Sequence, residues 1–258
     1  MGYRYLDHLA TEENIRKFVD LADLAAGAGA SPDNLHELMQ RLRHSKPMQL
    51  CEKRLASDPA SAALIAARHV APPYDAEALL SLPRGSLGHT FSAVIKAMGY
   101  DINYFPAPEY YNNFATDADY INYRLSATHD LHHILTGFNP EVGGGEMGVL
   151  CFGLAQTSHP SLVFLNLMWL MMRWIQGDTP IAGLDDPKEK ARTVAHLYRT
   201  MSQGMDMGFA ASPVFPVHWE DRMEQDLEDL RRELGIVPVR EGMVSWETNP
   251  RIQAALAS

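Results

Sequence analysis

Two cysteines, Cys51 and Cys151, are all that the 258 residues contain. They form no CxxC pair and no disulfide framework, so the chain fits a reducing compartment. No run of Lys or Arg stands out and the formal net charge is -10, which sets nucleic acid aside as a partner. Long hydrophobic runs are missing too. The most apolar stretch, "SLVFLNLMWLMMRWI" at 161–175, is interrupted by Asn166 and Arg173 and falls short of the ~20 residues a bilayer span needs. The first residues, "MGYRYLDHLATEEN", carry acids early and have no apolar h-region, so they read as neither a signal nor a transit peptide. Internal repeats, low-complexity tracts and sustained period-2 alternation are also lacking.

Apolar residues make up 46% of the chain, enough for a sizeable core. Their spacing is helical, and it predicts helices over 11–27, 32–44, 48–56, 60–70, 86–99, 117–136, 146–157, 161–177, 187–207 and 219–234. Breakers separate them, among them Pro72-Pro73, Gly99, Gly137 to Gly145 and Pro160. The expected fold class is all-α, a single mostly helical domain over 46–236. Residues 1–45 form an N-terminal helical extension, and 237–258 a tail that wraps the surface or stays partly loose.

One stretch concentrates chemistry. Residues 128–146 read "THDLHHILTGFNPEVGGGE". Thr116 and Asp119 have the spacing of a capping box, and Gly137 is a helix stop. At about 100° per residue, with His129 at zero, His133 falls at about 40° and Asp130 at about 100°. Asn122 and Ser126 share that stripe, while Leu131, Ile134 and Leu135 point to the far side. Histidines at i, i+4 chelate one divalent cation when carboxylate oxygens complete the shell. His129 and His133 are the candidate nitrogen donors, and Asp130 and Glu146 the candidate oxygen donors. Glu146 lies across a loop in which three glycines give freedom. His132 faces elsewhere. The spacing alone leaves three readings open: ordinary core or surface histidines, a structural ion, or a reactive one.

The helix at 161–175 is almost wholly apolar, including Phe164, Met168, Trp169, Met171 and Met172. It reads as a central core helix or as the wall of a channel for a lipid tail. His89, between "SLG" and "TF", reads as a surface residue at a helix start. Trp219 and Glu220 read as packing ahead of the last predicted helix. His8, His36, His44, His69, His159, His196 and His218 show no ligand spacing.

The block "HDLHHILTGFNPEVGGGE" resembles the HDxxH…Glu signature of the coenzyme Q biosynthesis protein 4 family. "LPRGSLGHTF" at 82–91, "YINYR" at 120–124, "GE" with "AQTSHP" at 145–160 and "DRMEQDLEDLRRELGI" at 221–236 resemble further family blocks in order and spacing. The resemblance implies a helical protein of ubiquinone biosynthesis that binds zinc or another divalent metal ion through His129, Asp130, His133 and Glu146. These four are then also the catalytic candidates, acting on a prenylated aromatic lipid by oxidative removal of its ring carboxylate. It implies the other ubiquinone-biosynthesis enzymes as partners and a cytoplasmic, peripheral seat on the inner membrane face. It leaves a homodimer open. The chain also departs from the family: Ser126 and Ala127 stand where Arg and Glu are usual, and charges are missing near Leu150, Cys151 and Gly153. The rival readings are a non-catalytic scaffold that presents prenylated intermediates, and a hydrolase with Asp130 as base.

Overall fold

The computed structural model describes residues 11–29, 31–104, 113–141, 143–175 and 187–257. Among them the chain is all-α. Its helices are α1 (Glu12–Gly27), α2 (Pro32–Leu42), α3 (Lys46–Ala56), α4 (Pro59–Ala67), α5 (Ala76–Leu80), α6 (Leu87–Met98), α7 (Asp117–Thr136), α8 (Gly143–Thr157), α9 (Pro160–Ile175), α10 (Pro187–Ala210), α11 (Leu227–Leu234) and α12 (Pro250–Ala257). Two 3-10 turns lie at Trp219–Arg222 and Trp246–Thr248. Most starts are written locally. Thr11, Ser31, Ser45, Asp58, Asp75, Ser86, Thr116 and Asp226 each accept a hydrogen bond from a backbone N–H of the first turn. That satisfies donors a helix start leaves orphaned.

α7 runs through the middle of the molecule and is buried on nearly all sides. It opens with the full capping box between Thr116 and Asp119 and ends at Gly137 with φ +81. A Cβ at Gly137 would come within 2.3 Å of the Val239 carbonyl oxygen, so only glycine lets the chain after Ile236 pass there. One core cluster packs α6 and the apolar side of α7, with Leu131, Ile134 and Leu135, against Phe152 of α8, Trp219 and Leu230. A second joins α3 and α4 to the start of α7, and a third joins α1 and α2 to α9. α8 lies against α10 and α9. Both cysteines are buried, and burial pushes their thiols up to about 12.

The observed elements differ from the predicted ones in several places. The span 219–234 is not one helix. Asp226 caps α11, and the Leu87 and Gly88 N–H groups reach the carbonyls of Gln225 and Met223 at 2.8 Å, so the chain is held open between the 3-10 turn and α11. α5 and α12 have no predicted counterpart, and five and eight residues are too short for a clear period. The segment after Ile236 enters the core: Val239, Val244, Trp246 and Ile252 are buried in the main cluster. The Val239 N–H donates to the Thr136 carbonyl at 2.8 Å and the Trp246 indole N–H to the His133 carbonyl at 2.9 Å.

A fully buried polar link ties α7 to the start of α9. The His159 Nε2–H donates to Asn122 Oδ1 at 2.8 Å, and its Nδ1 meets the Ser161 hydroxyl at 2.7 Å. Burial pushes His159 down from 6.5 to about 3, so the folded chain keeps it neutral. The unfolded chain takes up a proton below about 6.5. This contribution to stability is therefore complete above about 6.5 and is lost as the pH falls toward 3. His159→Gln keeps a donor for Asn122 but cannot titrate. Its thermal midpoint, measured across this pH window, is expected to fall less steeply than that of the parent chain. Parallel slopes would remove His159 from the acid response.

Candidate metal centre and its cavity

The last turns of α7 and the first turn of α8 bring three donors together. His129 and His133 lie one turn apart, with their Nε2 atoms at 3.2 Å. Glu146 reaches both: Oε2 lies 3.1 Å from His129 Nε2 and Oε1 lies 3.2 Å from His133 Nε2. The three donor atoms all fall within 4.8 Å of one another, and the group could hold a metal ion. His133 is oriented from behind. Its Nδ1–H donates to the Phe138 carbonyl at 2.9 Å, which turns Nε2 toward Glu146.

The glycines do not form a loop. α8 begins at Gly143, so Gly143, Gly144 and Gly145 are its first turn and Glu146 sits at its positive end. A Cβ at Gly145 would lie 2.0 Å from the Asn139 carbonyl oxygen. The small residue lets the turn after α7 lie flat on the start of α8 and sets Glu146 one step from the histidines.

Charge is balanced inside the trio. Burial alone would raise the Glu146 pKa, but His133 and His129 outweigh it and hold the carboxyl well below its usual range. Burial works to lower His129, yet Glu146 and then Asp130 raise it to about 9. His132 is different. Burial, helped by His129 and then Arg124, pushes it to about 3, and its ring packs on Phe152 and Trp219.

His129 and Glu146 stand at the polar end of a cavity of about 380 Å³. Its apolar wall includes Leu125, Val149, Leu150, Leu162, Leu165 and Trp169. Asp130 borders the same cavity, but its carboxylate lies outside the close trio. It sits about 100° around the helix from His129 and acts on His129 by charge. No Lys or Arg lines the cavity among the described residues. Three of the positions where the chain departs from the charges of its likeness, Ser126, Leu150 and Gly153, fall on this wall. Ala127 packs instead with the α3–α4 cluster, and Cys151 is buried away from the cavity.

α9 divides its apolar residues between two faces. Leu162, Leu165 and Trp169 face the cavity, while Val163, Leu167 and Met171 lie on the opposite, exposed face. Met171 is 46% exposed and takes no part in the wall. Arg173 and Trp174 have side chains outside the described residues. A second donor group, His69, His218 and Glu220, has no counterpart in the sequence reading. Its members come from chain segments 151 residues apart, and no local spacing signals such a meeting.

The fold and the trio define a class: an all-α protein with two imidazoles and a carboxylate gathered at the end of a largely apolar cavity. The chain belongs to the family described as Coenzyme Q (ubiquinone) biosynthesis protein Coq4, whose model matches residues 43–240. It is 28% identical over 160 residues to the mitochondrial ubiquinone biosynthesis protein coq-4 of Neurospora crassa, covering 62% of this chain and 41% of that protein. Against the mitochondrial COQ4 of Clavispora lusitaniae it is 24% identical over 227 residues, covering 86% and 66%. The chain spans about half the length of most of these curated relatives. A crystal structure from Nostoc punctiforme, assigned to ubiquinone biosynthesis, has the same fold: TM-score 0.70, 22% identity, covering 87% of this chain and 99% of that one.

Proposed function

We propose that this chain acts in ubiquinone biosynthesis as a metal-dependent protein on a prenylated aromatic precursor, with His129, His133 and Glu146 holding the ion. The observation that carries the reading is the union of donors and cavity: a His-His-Glu trio closing one end of a largely apolar space. The donor set suits zinc or a similar divalent ion. His133 is fixed in its ligating tautomer by Phe138, and Glu146 is kept ionised by its neighbours. Asp130 stands beside the ligands and adds negative charge at His129. When bound, the ion supplies Lewis acidity and a positive charge for the ring's oxygen substituents. With no Lys or Arg on the wall among the described residues, the ion and His129 are the positive groups that can meet a ring carboxylate there, and Ser126, Tyr100 and Tyr104 offer hydroxyls. The activity this arrangement serves is oxidative decarboxylation, in which the carboxylate leaves as carbon dioxide, an external oxidant takes up two electrons, and water or that oxidant supplies the hydroxyl oxygen.

The apolar wall takes the ring and the start of the tail, since about 380 Å³ lies at the lower end of small-molecule sites. The rest of a long tail has to leave. α1 exposes Ile15, Phe18 and Val19 beside the exposed Val163, Leu167 and Met171 of α9, and Phe18 stacks edge-on against Phe164 at 5.7 Å. This apolar side supports a peripheral seat on a membrane. No helix among the described residues is long and apolar enough to cross one.

Leu150→Trp tests the cavity. The larger side chain is expected to enter open space, weaken binding of a prenylated hydroxybenzoate by about tenfold or more, and shift the melting point little. Met171→Trp, on the outer face, is expected to leave ring binding unchanged. Equal binding by both variants would place the lipid elsewhere. Mass spectrometry of the same incubation with metal and oxidant reads turnover. Binding without loss of the carboxylate would favour the scaffold role.

A further inference from the structure

His69, His218 and Glu220 lie outside the cavity and outside the function proposed above. His69 follows the end of α4. His218 and Glu220 flank the start of the 3-10 turn at Trp219–Arg222. His69 Nε2 hydrogen-bonds Glu220 Oε1, and His218 Nδ1 lies 3.3 Å from the same oxygen. The two rings meet edge-on with centroids 4.4 Å apart and planes at 61°. One ligand atom from each residue falls within 4.8 Å of the others. The second carboxylate oxygen, Glu220 Oε2, is buried and has no hydrogen-bond partner. A buried carboxylate oxygen without a donor marks an incomplete set of partners.

The group is held in place from α7. The Tyr120 hydroxyl donates to the His69 carbonyl at 2.8 Å. Arg124, itself buried, donates through Nε to the Phe215 carbonyl at 3.2 Å and through Nη2 to the Val217 carbonyl. Both strands of chain that carry the donors are thus anchored on neighbouring turns of one helix. Arg124 gives these hydrogen bonds to carbonyls and acts on Glu220 through its charge, while the histidines hold the carboxylate by hydrogen bonds. Burial opposes the charge on Glu220, but its hydrogen bonds prevail and hold its pKa below the usual value.

We propose that His69, His218 and Glu220 form a second divalent-cation site, suited to zinc, that fastens the exit of α4 to the turn before α11. Two imidazole nitrogens and a carboxylate are a zinc-like donor set, and an ion between them replaces the shared protons and satisfies Oε2. His218 is 46% exposed in its side chain, so water completes the shell from outside. Neither the cavity at His129 nor the one beside Arg231 includes these residues. The role is therefore a staple between segments far apart in sequence. It does not depend on the ion at His129.

The test uses the full chain, stripped of metal and loaded with zinc or Co²⁺, with bound ions counted by native mass spectrometry. His218→Ala is expected to bind one ion fewer than its parent, both in the otherwise unchanged chain and in a His133→Ala background. His218 is exposed enough for the variant to fold, and circular dichroism checks this. In the unchanged chain, zinc is expected to protect His218 from carbethoxylation by diethylpyrocarbonate, read on the His218 peptide. Equal ion counts with and without His218, or modification of His218 indifferent to zinc, would overturn the second site. Failure of the cavity site shows differently, as an unchanged count in His133→Ala alone.

Discussion

His133→Ala is expected to empty the site between α7 and α8. His133 is the most deeply buried of the three donors, with 1% of its side chain exposed, and the best oriented. Its replacement removes one imidazole outright and leaves Glu146 facing His129 alone. Loss of a partner behind a ligand already costs about 10–100-fold in metal affinity, so loss of the ligand itself costs at least that upper bound. Turnover of the prenylated substrate should fall with the ion. Asp130→Asn should retain the ion with a weaker hold, because its carboxylate lies outside the trio. Equilibrium dialysis against zinc, with metal counted by mass spectrometry, reads both variants. Full occupancy in His133→Ala would sink the assignment of this site.

The largest effect on stability is expected from Arg231→Ala. Arg231 is 2% exposed and caps the end of α7 from the side. Its Nε donates to the Leu135 carbonyl at 2.9 Å and Nη2 to the Ile134 carbonyl at 2.7 Å. Nη1 pairs with Glu247 at 2.9 Å and Glu228 at 2.5 Å, and the guanidinium lies over Trp246 at 5.6 Å. Alanine leaves two helix-end carbonyls without their side-chain donor and takes from Glu247 and Glu228 the buried one of their two arginines, Arg240 remaining. Breaking a buried pair in this way costs about 3–5 kcal/mol. For a chain of this size that lowers the melting point by about 10 °C. Arg231→Lys keeps the charge but cannot span the same acceptors, so its melting point should fall between the two. A drop of only a degree or two in Arg231→Ala would show that water or a neighbour replaces the guanidinium. Because α7 carries both histidines, metal binding should weaken along with stability in this variant.

Arg231 illustrates what could not be read in advance. In the sequence it is one charge in "DLEDLRREL", on a helix that looks amphipathic and solvated. Its partners lie 96 and 97 residues away on α7. The three glycines carry the same lesson in the other direction. Glycine weakens a helix locally, so a loop was the natural reading. α8 nevertheless starts there, because the Asn139 backbone leaves no room for a Cβ at Gly145.

By itself the sequence determined the all-α class, the caps of α7 at both ends, and the shared face of His129 and His133. Each rests on hydrogen bonds or periodicity within a few residues, which local chemistry dictates whatever the rest of the chain does. Glu146 was a candidate oxygen donor in the sequence, but its distance from the histidines depends on how the chain turns after Gly137, which the fold decides. Only the tertiary structure decided that the segment after Ile236 belongs to the core, that α9 divides its apolar residues between a cavity and an exposed face, and that Asp130 stands apart from the trio. It alone brought His69 to His218 and Glu220. Those outcomes depend on which distant surfaces fit against each other, and proximity across 151 residues leaves no period in the chain.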